Sequence, residues 1–170
     1  MCPSLGRVRT LVLMRHAKSD YPDGVADHER PLADRGLREA ALAGDWLRDN
    51  LPPIGAVLCS SATRTRQTLA RTGIDAPVSY LDELYGAGPG TMIAEINRVG
   101  DDVGVLMVVG HEPTVSQVAL GLAGPGSDPE PAELIRMKFP TSGIAVLRVS
   151  GHWTDLEPEG ARLKSFHVPR

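Results

Sequence analysis

Two histidines in this chain each stand directly after an apolar run, and arginines accompany them. Arg15-His16 closes the run Val8-Arg-Thr-Leu-Val-Leu-Met14, and His111 follows Gly104-Val-Leu-Met-Val-Val-Gly110. Arg64 lies shortly after a third run, Ile54-Gly-Ala-Val-Leu-Cys59, and the serines Ser60 and Ser61. Taken singly, each has a bland reading. His16 can be a hydrogen-bonded residue at a strand end, a nucleophile or a metal ligand, and Arg64 can be a solvated cation. Taken together they point to one chemistry. Two histidines with two arginines make a poor metal site, because guanidinium groups repel the ion and no HxH, HExxH or CxxC pairing accompanies them. The same set suits a phosphate, since guanidinium groups bind phosphoryl oxygens in bidentate fashion. Neighbouring positive charge also lowers a histidine's pKa, which keeps the imidazole neutral and nucleophilic. Phosphoryl transfer to His16 is the chemistry this combination supports.

Elements of the right kind must bring these residues together. Val8, Leu11, Val12, Leu13 and Met14 read as a short buried strand, and parallel α/β sheets gather their ligands at the carboxyl ends of strands. The polar stretch 20–31, punctuated by proline and glycine, reads as a loop and one wall of the site. Leu37, Ala40, Ala41, Ala43, Gly44 and Leu47 recur at helical spacing from Leu32 until Leu51-Pro-Pro53, with Asp34 placed to cap the helix or favour its dipole. Residues 54–59 form a second buried strand. A helix over 62–71 follows, with Ser60, Ser61 or Thr63 as N-cap and Arg64 in its first turn. A cation there opposes the helix dipole, and an anion held between the two would offset the conflict. Residues 76–81 read as a strand leading to Asp82-Glu83, and 88–99 as a helix. Residues 104–110 make the strongest strand, and Pro113 suits the first turn of a helix over 114–122. Residues 124–131 read as a surface loop. The runs 134–139, 143–149, 153–156 and 162–166 follow, the later ones strand-like, with Ser150-Gly151 as a hairpin turn. The predicted fold is α/β: a three-layer αβα sandwich with a mostly parallel central sheet, one domain over 1–170, and a hairpin of the last strands at an edge.

Composition excludes several other roles. Lys and Arg number 18 against 21 Asp and Glu, a net charge of −3 that argues against a general nucleic-acid binder. Two cysteines, Cys2 and Cys59, cannot build a disulfide framework or a zinc pattern, so a reducing cytoplasm is the expected compartment. No apolar run reaches the roughly 18 residues of a membrane span, and Met1-Cys-Pro-Ser4 leads into no signal-peptide core.

Three segments then carry a resemblance. Leu13-Met-Arg-His-Ala-Lys-Ser19, Ser60-Ser-Ala-Thr-Arg-Thr-Arg-Gln-Thr68 and Val109-Gly-His-Glu-Pro113 together resemble the histidine phosphatase superfamily, the phosphoglycerate-mutase-like clan. "RHAKS", "VGHEP" and the short chain make it look most similar to SixA-type phosphohistidine phosphatases. The resemblance implies that His16 is the phosphorylated nucleophile. It implies that Arg15, Arg64 and His111 bind the phosphoryl group, and that water hydrolyses the phosphohistidine. No metal or other cofactor is implied, because the arginines supply the positive charge. Many members of the clan take a proton donor from just after the third strand, which points to Glu83 ahead of Asp82, with Asp20 or Glu112 as stand-ins. The implied partner is a phosphorylated substrate, in the first instance a phosphohistidine protein. A small-molecule phosphomonoesterase is the rival, its specificity set by loops such as 20–31 and 124–133, and a non-catalytic phospho-ligand module is a third reading. Lys18, Arg66, Arg71, His28, His152 and His167 are expected to be surface or structural residues.

Overall fold

A computed structural model describes residues 8–170, so Cys2 and the segment 1–4 lie outside the described residues. Six strands form one sheet: β1 (Arg9–Arg15), β2 (Ala56–Ser60), β3 (Val78–Leu81), β4 (Val105–Gly110), β5 (Ile144–Val149) and β6 (Arg162–His167). Their order is β3-β2-β4-β1-β5-β6. The first four run parallel, while β5 is antiparallel to β1 and β6 antiparallel to β5. The two central strands, β1 and β4, are buried along almost their whole length. Both faces of the sheet are covered, which is why these strands read as continuous apolar runs rather than alternating ones.

Alternate residues supply the two cores. On one face Val12, Met14, Met107 and Val109 pack with Ala43 and Leu47 of α1 (Asp34–Asn50) and Leu69 of α2 (Thr63–Thr72). On the other, Leu11, Leu13, Leu106 and Val108 pack with α3 (Pro89–Asn97), α4 (Thr114–Leu122) and α5 (Pro129–Met137). The result is the three-layer αβα arrangement with a mostly parallel sheet. Two glycines let α1 sit close: a Cβ on Gly36 would meet the Lys18 carbonyl oxygen at 2.1 Å, and one on Gly44 the Thr72 carbonyl oxygen at 2.0 Å.

Several local expectations need correction. Val8 is exposed and precedes β1, because the strand's first sheet partners begin at Arg9. Leu32 lies outside α1, bridging Ser19 instead. Neither α1 nor α2 has a side-chain cap: Ala33 and Ala62 hold the N-cap positions, Asp34 lies in the first turn of α1, and Ser60 turns its hydroxyl to the Ala62 N–H. Pro113 is itself the N-cap residue of α4. The end of the expected loop 124–131 and most of the unassigned run 134–139 belong to α5, where Pro129 starts a helix that buries Pro131, Ala132 and Ile135. No tight turn forms at Ser150-Gly151; residues 150–161 cross from β5 to β6, with a 3₁₀ turn at Trp153–Asp155. Trp153 leaves the strand pattern because its indole is fully buried and donates to the Val103 carbonyl. The antiparallel β5–β6 pair does close one edge.

Candidate active site

Strand register brings the two histidines together. Arg15 is paired with Gly110 across the parallel β1–β4 ladder, so His16 and His111 leave the sheet side by side, ring centroids 5.3 Å apart. On the far side of β4, Ser60 ends β2 and its hydroxyl lies 2.8 Å from His111 Nε2. Arg64 enters from the first turn of α2 and is buried beside them. Arg15, His16, Arg64 and His111 line one cavity of about 230 Å³, walled by Tyr21, Arg30 and Glu112.

The geometry of His16 defines its reactive atom. Its Nδ1 lies 2.7 Å from the carbonyl oxygen of Ala17. A carbonyl only accepts, so Nδ1 carries the proton and the neutral ring holds its lone pair on Nε2. Burial above all pushes the His16 pKa down to about 3; His111, Arg64 and Arg15 push the same way, and the Ala17 hydrogen bond opposes them without prevailing. His111 is pushed down to about 4, mainly by burial and then by Arg64. Both rings are therefore uncharged at neutral pH.

Around these rings, hydrogen-bonding atoms have been left without partners. Among the described residues five buried side-chain polar atoms lack one, and three of them are Arg15 Nε, Arg64 Nε and His111 Nδ1. A buried polar atom without a partner costs roughly 1–3 kcal/mol, and all three belong to residues that line the same cavity, so a ligand rich in acceptors would suit the place.

Other nitrogens of the two arginines anchor them. Arg15 donates from Nη1 to the Phe139 carbonyl at 2.9 Å. Arg64 donates to the Asp27 carbonyl at 2.8 Å and to its carboxylate at 3.2 Å. Asp27 also accepts from Tyr85 Oη at 2.5 Å and Arg30 Nε at 3.0 Å, and these donors, Tyr85 first, hold its carboxyl well below the usual carboxylate range. Its side chain is 56% exposed, so the pairing orients Arg64 more than it adds stability. One turn on from Arg64, Thr68 accepts the Ala17 N–H at 2.9 Å and Gln67 the Leu32 N–H at 2.8 Å. These two side chains of α2 therefore pin the backbone on either side of loop 20–31.

The expected proton donors are placed differently from the phosphate ligands. Glu83 is exposed on a 3₁₀ turn, Asp82–Leu84, and the structure does not bring it into the cavity. Asp82 and Asp20 are exposed as well, and Asp20 accepts the N–H of Tyr21. Glu112 does line the cavity, with both carboxylate oxygens accepting from Ser116, one from its N–H and one from its hydroxyl, each at 2.7 Å. Lys18 is exposed at the rim. His152 pairs with Asp101 and His167 stacks on Trp46, as structural residues do. His28 proves to border the site, 3.0 Å from Ser61 Oγ and edge-on to Tyr85. Asp27, Tyr85 and Arg30 belong to no contiguous motif. The one sequence signal for the supporting groups was Gln67-Thr68, one helical turn beyond Arg64.

A parallel α/β sheet whose strand ends gather a neutral, buried histidine and two arginines is an arrangement suited to an oxyanion. The profile of the histidine phosphatase superfamily (branch 1) matches residues 11–92. Phosphohistidine phosphatase SixA of Escherichia coli is 30% identical over 150 residues, spanning 84% of this chain and 88% of that protein. A structure assigned as phosphohistidine phosphatase SixA from Nakamurella multipartitia is 44% identical with a TM-score of 0.88, covering 95% of this chain and 96% of the other. The protein histidine phosphatase SixA complexed with tungstate superposes with a TM-score of 0.76 at 25% identity, over 94% and 97% of the two chains. The chain belongs to the histidine phosphatase superfamily.

Proposed function

We propose that the protein hydrolyses a phosphoryl group by way of a phosphohistidine on His16, without a metal ion, and that its substrate is a phosphohistidine on another protein. The observation that carries this reading is the cluster of unpartnered buried donors, Arg15 Nε, Arg64 Nε and His111 Nδ1, set around a neutral His16. In the first step the Nε2 lone pair attacks phosphorus while the bond to the leaving group breaks. The negative charge on the phosphoryl oxygens meets donors already fixed in place, which is where such sites gain most of their rate. Ser60 accepts the Ala62 N–H, leaving its own hydrogen for His111 Nε2. His111 then bears its proton on Nδ1 and can donate it to a phosphoryl oxygen. In the second step water attacks the phosphorus, the P–Nε2 bond breaks and inorganic phosphate leaves. That the SixA relative forms a complex with tungstate, a tetrahedral oxyanion, supports an oxyanion as ligand of this chain.

The likeness to SixA supports a phosphohistidine substrate, and an imidazole leaving group is far less basic than an alkoxide, so it departs with less acid assistance. A cytoplasmic location fits the sparse cysteines, and no helix among the described residues is long and apolar enough to cross a membrane. Mass spectrometry after rapid, acid-free quenching with a phosphoryl donor tests the mechanism. A phosphate on His16 that disappears on chasing, in EDTA as without it, is the expected result. Absence of the adduct with every donor tried would overturn the reading, and activity recovered only with Zn²⁺ or Mg²⁺ would overturn metal independence.

A further inference from the structure

Next to the reaction cavity lies a second one, of about 290 Å³, lined by Arg15, Lys18, Arg35, Lys138, Thr141 and Arg170 together with Pro140. It shares Arg15, Lys18 and Thr141 with the first, so the two are neighbours divided by those residues. Five of its seven lining residues are cationic and none is acidic, in a chain whose carboxylates outnumber its Lys and Arg by 21 to 18. Composition does not explain such a concentration.

Two of the five cations are held in place from behind. Glu39, buried on α1, accepts from Arg35 Nε at 3.3 Å and from Arg170 Nη1 at 2.8 Å. One carboxylate balances one of those two charges. The ammonium groups of Lys18 and Lys138 have no hydrogen bond or ion pair among the described residues, and the Arg15 guanidinium donates to the Phe139 carbonyl and makes no salt bridge, although Glu112 lies near enough to act on it. Arg35 also stands in the first turn of α1, where a cation opposes the helix dipole. Like charges gathered with too few counterions raise the energy of the folded state, and a bound anion would lower it. Guanidinium forks fixed by a buried carboxylate are preorganised for phosphate or carboxylate oxygens, and ammonium groups add charge without fixed geometry.

We propose that this basic bay is a second anion subsite, holding a phosphate or carboxylate of the substrate other than the phosphoryl group transferred to His16. The inference rests on His16 being the reacting residue, and it narrows the substrate class. Good substrates carry a second anion a short linker away from the scissile phosphoryl group. Such an anion has two sources, a small bisphosphate or an acidic side chain beside a phosphohistidine.

Equilibrium binding tests this without turnover, in a His16→Asn background, with and without Lys138→Gln. Lys138 lines only the bay, and its side chain is exposed at the end of α5, so the variant leaves the core and the reaction cavity intact. Two probe pairs are compared by titration calorimetry: propane-1,3-diol bisphosphate against propyl phosphate, and a phosphohistidine peptide with Asp against the same peptide with Asn beside the modified residue. The doubly anionic member of at least one pair is expected to bind about tenfold tighter, as one charged hydrogen bond warrants. That advantage should shrink in Lys138→Gln and at high salt, while the probes with one anionic group bind Lys138→Gln as they bind the parent background. Whichever pair shows the effect identifies the source of the anion. Equal affinities within both pairs, or a preference that survives Lys138→Gln and Lys138→Glu, would overturn the subsite. Phosphorylation of His16 in the unsubstituted protein is read separately, so failure of the nucleophile and failure of the bay give different results.

Discussion

At the scale of single residues, the site divides into groups that line the cavity and groups that hold those in place. Arg64 belongs to the first kind through its unpartnered Nε and depends on the second through Asp27. Arg64→Ala is expected to cost about 3 kcal/mol of transition-state stabilisation, the size of loss seen when one preorganised donor is removed. Asp27→Asn keeps an oxygen for Arg64 and an acceptor for Tyr85, so its kcat/KM should fall much less; equal losses in the two variants would show that Arg64 needs the Asp27 charge and not only its oxygens. Glu83 gives the opposite expectation. Standing exposed outside the cavity, it should be replaceable by Gln with only a few-fold change in turnover of a phosphohistidine peptide, and a loss as large as that of Arg64→Ala would show that the turn 82–84 closes over the site. The residues that meet in the cavity were legible because His16, Arg64 and His111 each sit at or just beyond the end of an apolar run. Asp27 and Tyr85 were not, since their partnership spans 58 positions of sequence and rests on a loop conformation that no local pattern encodes.

At the scale of elements, α1 couples stability to the site through its two close approaches. The Gly36 position presses on the Lys18 backbone, beside the cavity, whereas Gly44 presses on Thr72 at the far end of α2. Adding a methyl at either place forces helix against backbone and is expected to cost about 1–3 kcal/mol. The variants should differ in activity. Gly36→Ala displaces the strand-to-loop turn that carries His16, Ala17 and Lys18, so kcat/KM falls with stability, while Gly44→Ala lowers the unfolding midpoint and leaves kcat/KM of the folded fraction near that of the parent protein. Equal kinetic effects would deny the coupling. Elements of this kind were readable where one signal dominated: the buried strands by their unbroken apolar runs, and α1 by its spacing of alanines and leucines. The segment from Pro129 was misread because its prolines resemble loop punctuation. Yet Pro129 occupies the first helical position, where its missing N–H costs nothing, and Pro131 is buried within the opening turn. Caps failed for a related reason: Ser60 and Ser61 spend their hydroxyls on Ala62, His111 and His28, so the site takes the groups that a helix end would otherwise use.

At the scale of the whole molecule, the site should be visible in how stability responds to acid. His16 and His111 have folded pKa values of about 3 and about 4, against an unfolded value near 6.5. His167, partly buried against Trp46, is lowered as well. Between about pH 6.5 and about pH 4 the unfolded chain therefore binds protons that the folded chain refuses, and stability must fall as pH falls through that window, with no contribution above it. Asp27 acts in the same sense at lower pH: its depressed carboxyl favours folding above the ordinary aspartate value and loses that contribution as it is protonated, by a small amount because the group is exposed. A bound phosphate changes the balance, since an anion against the imidazoles compensates their charge and ties their protonation to its own affinity. The thermal midpoint is thus expected to drop steadily from about pH 7 to about pH 4.5. The drop should be shallower in His16→Gln, which has one titrating ring fewer, and shallower in the parent protein when inorganic phosphate is added at constant ionic strength. Differential scanning fluorimetry across that range decides it. A midpoint indifferent to pH, or a slope unchanged by both the substitution and the phosphate, would mean that the two histidines are not held neutral by burial. The basis for treating Nε2 of His16 as a standing nucleophile would then be lost.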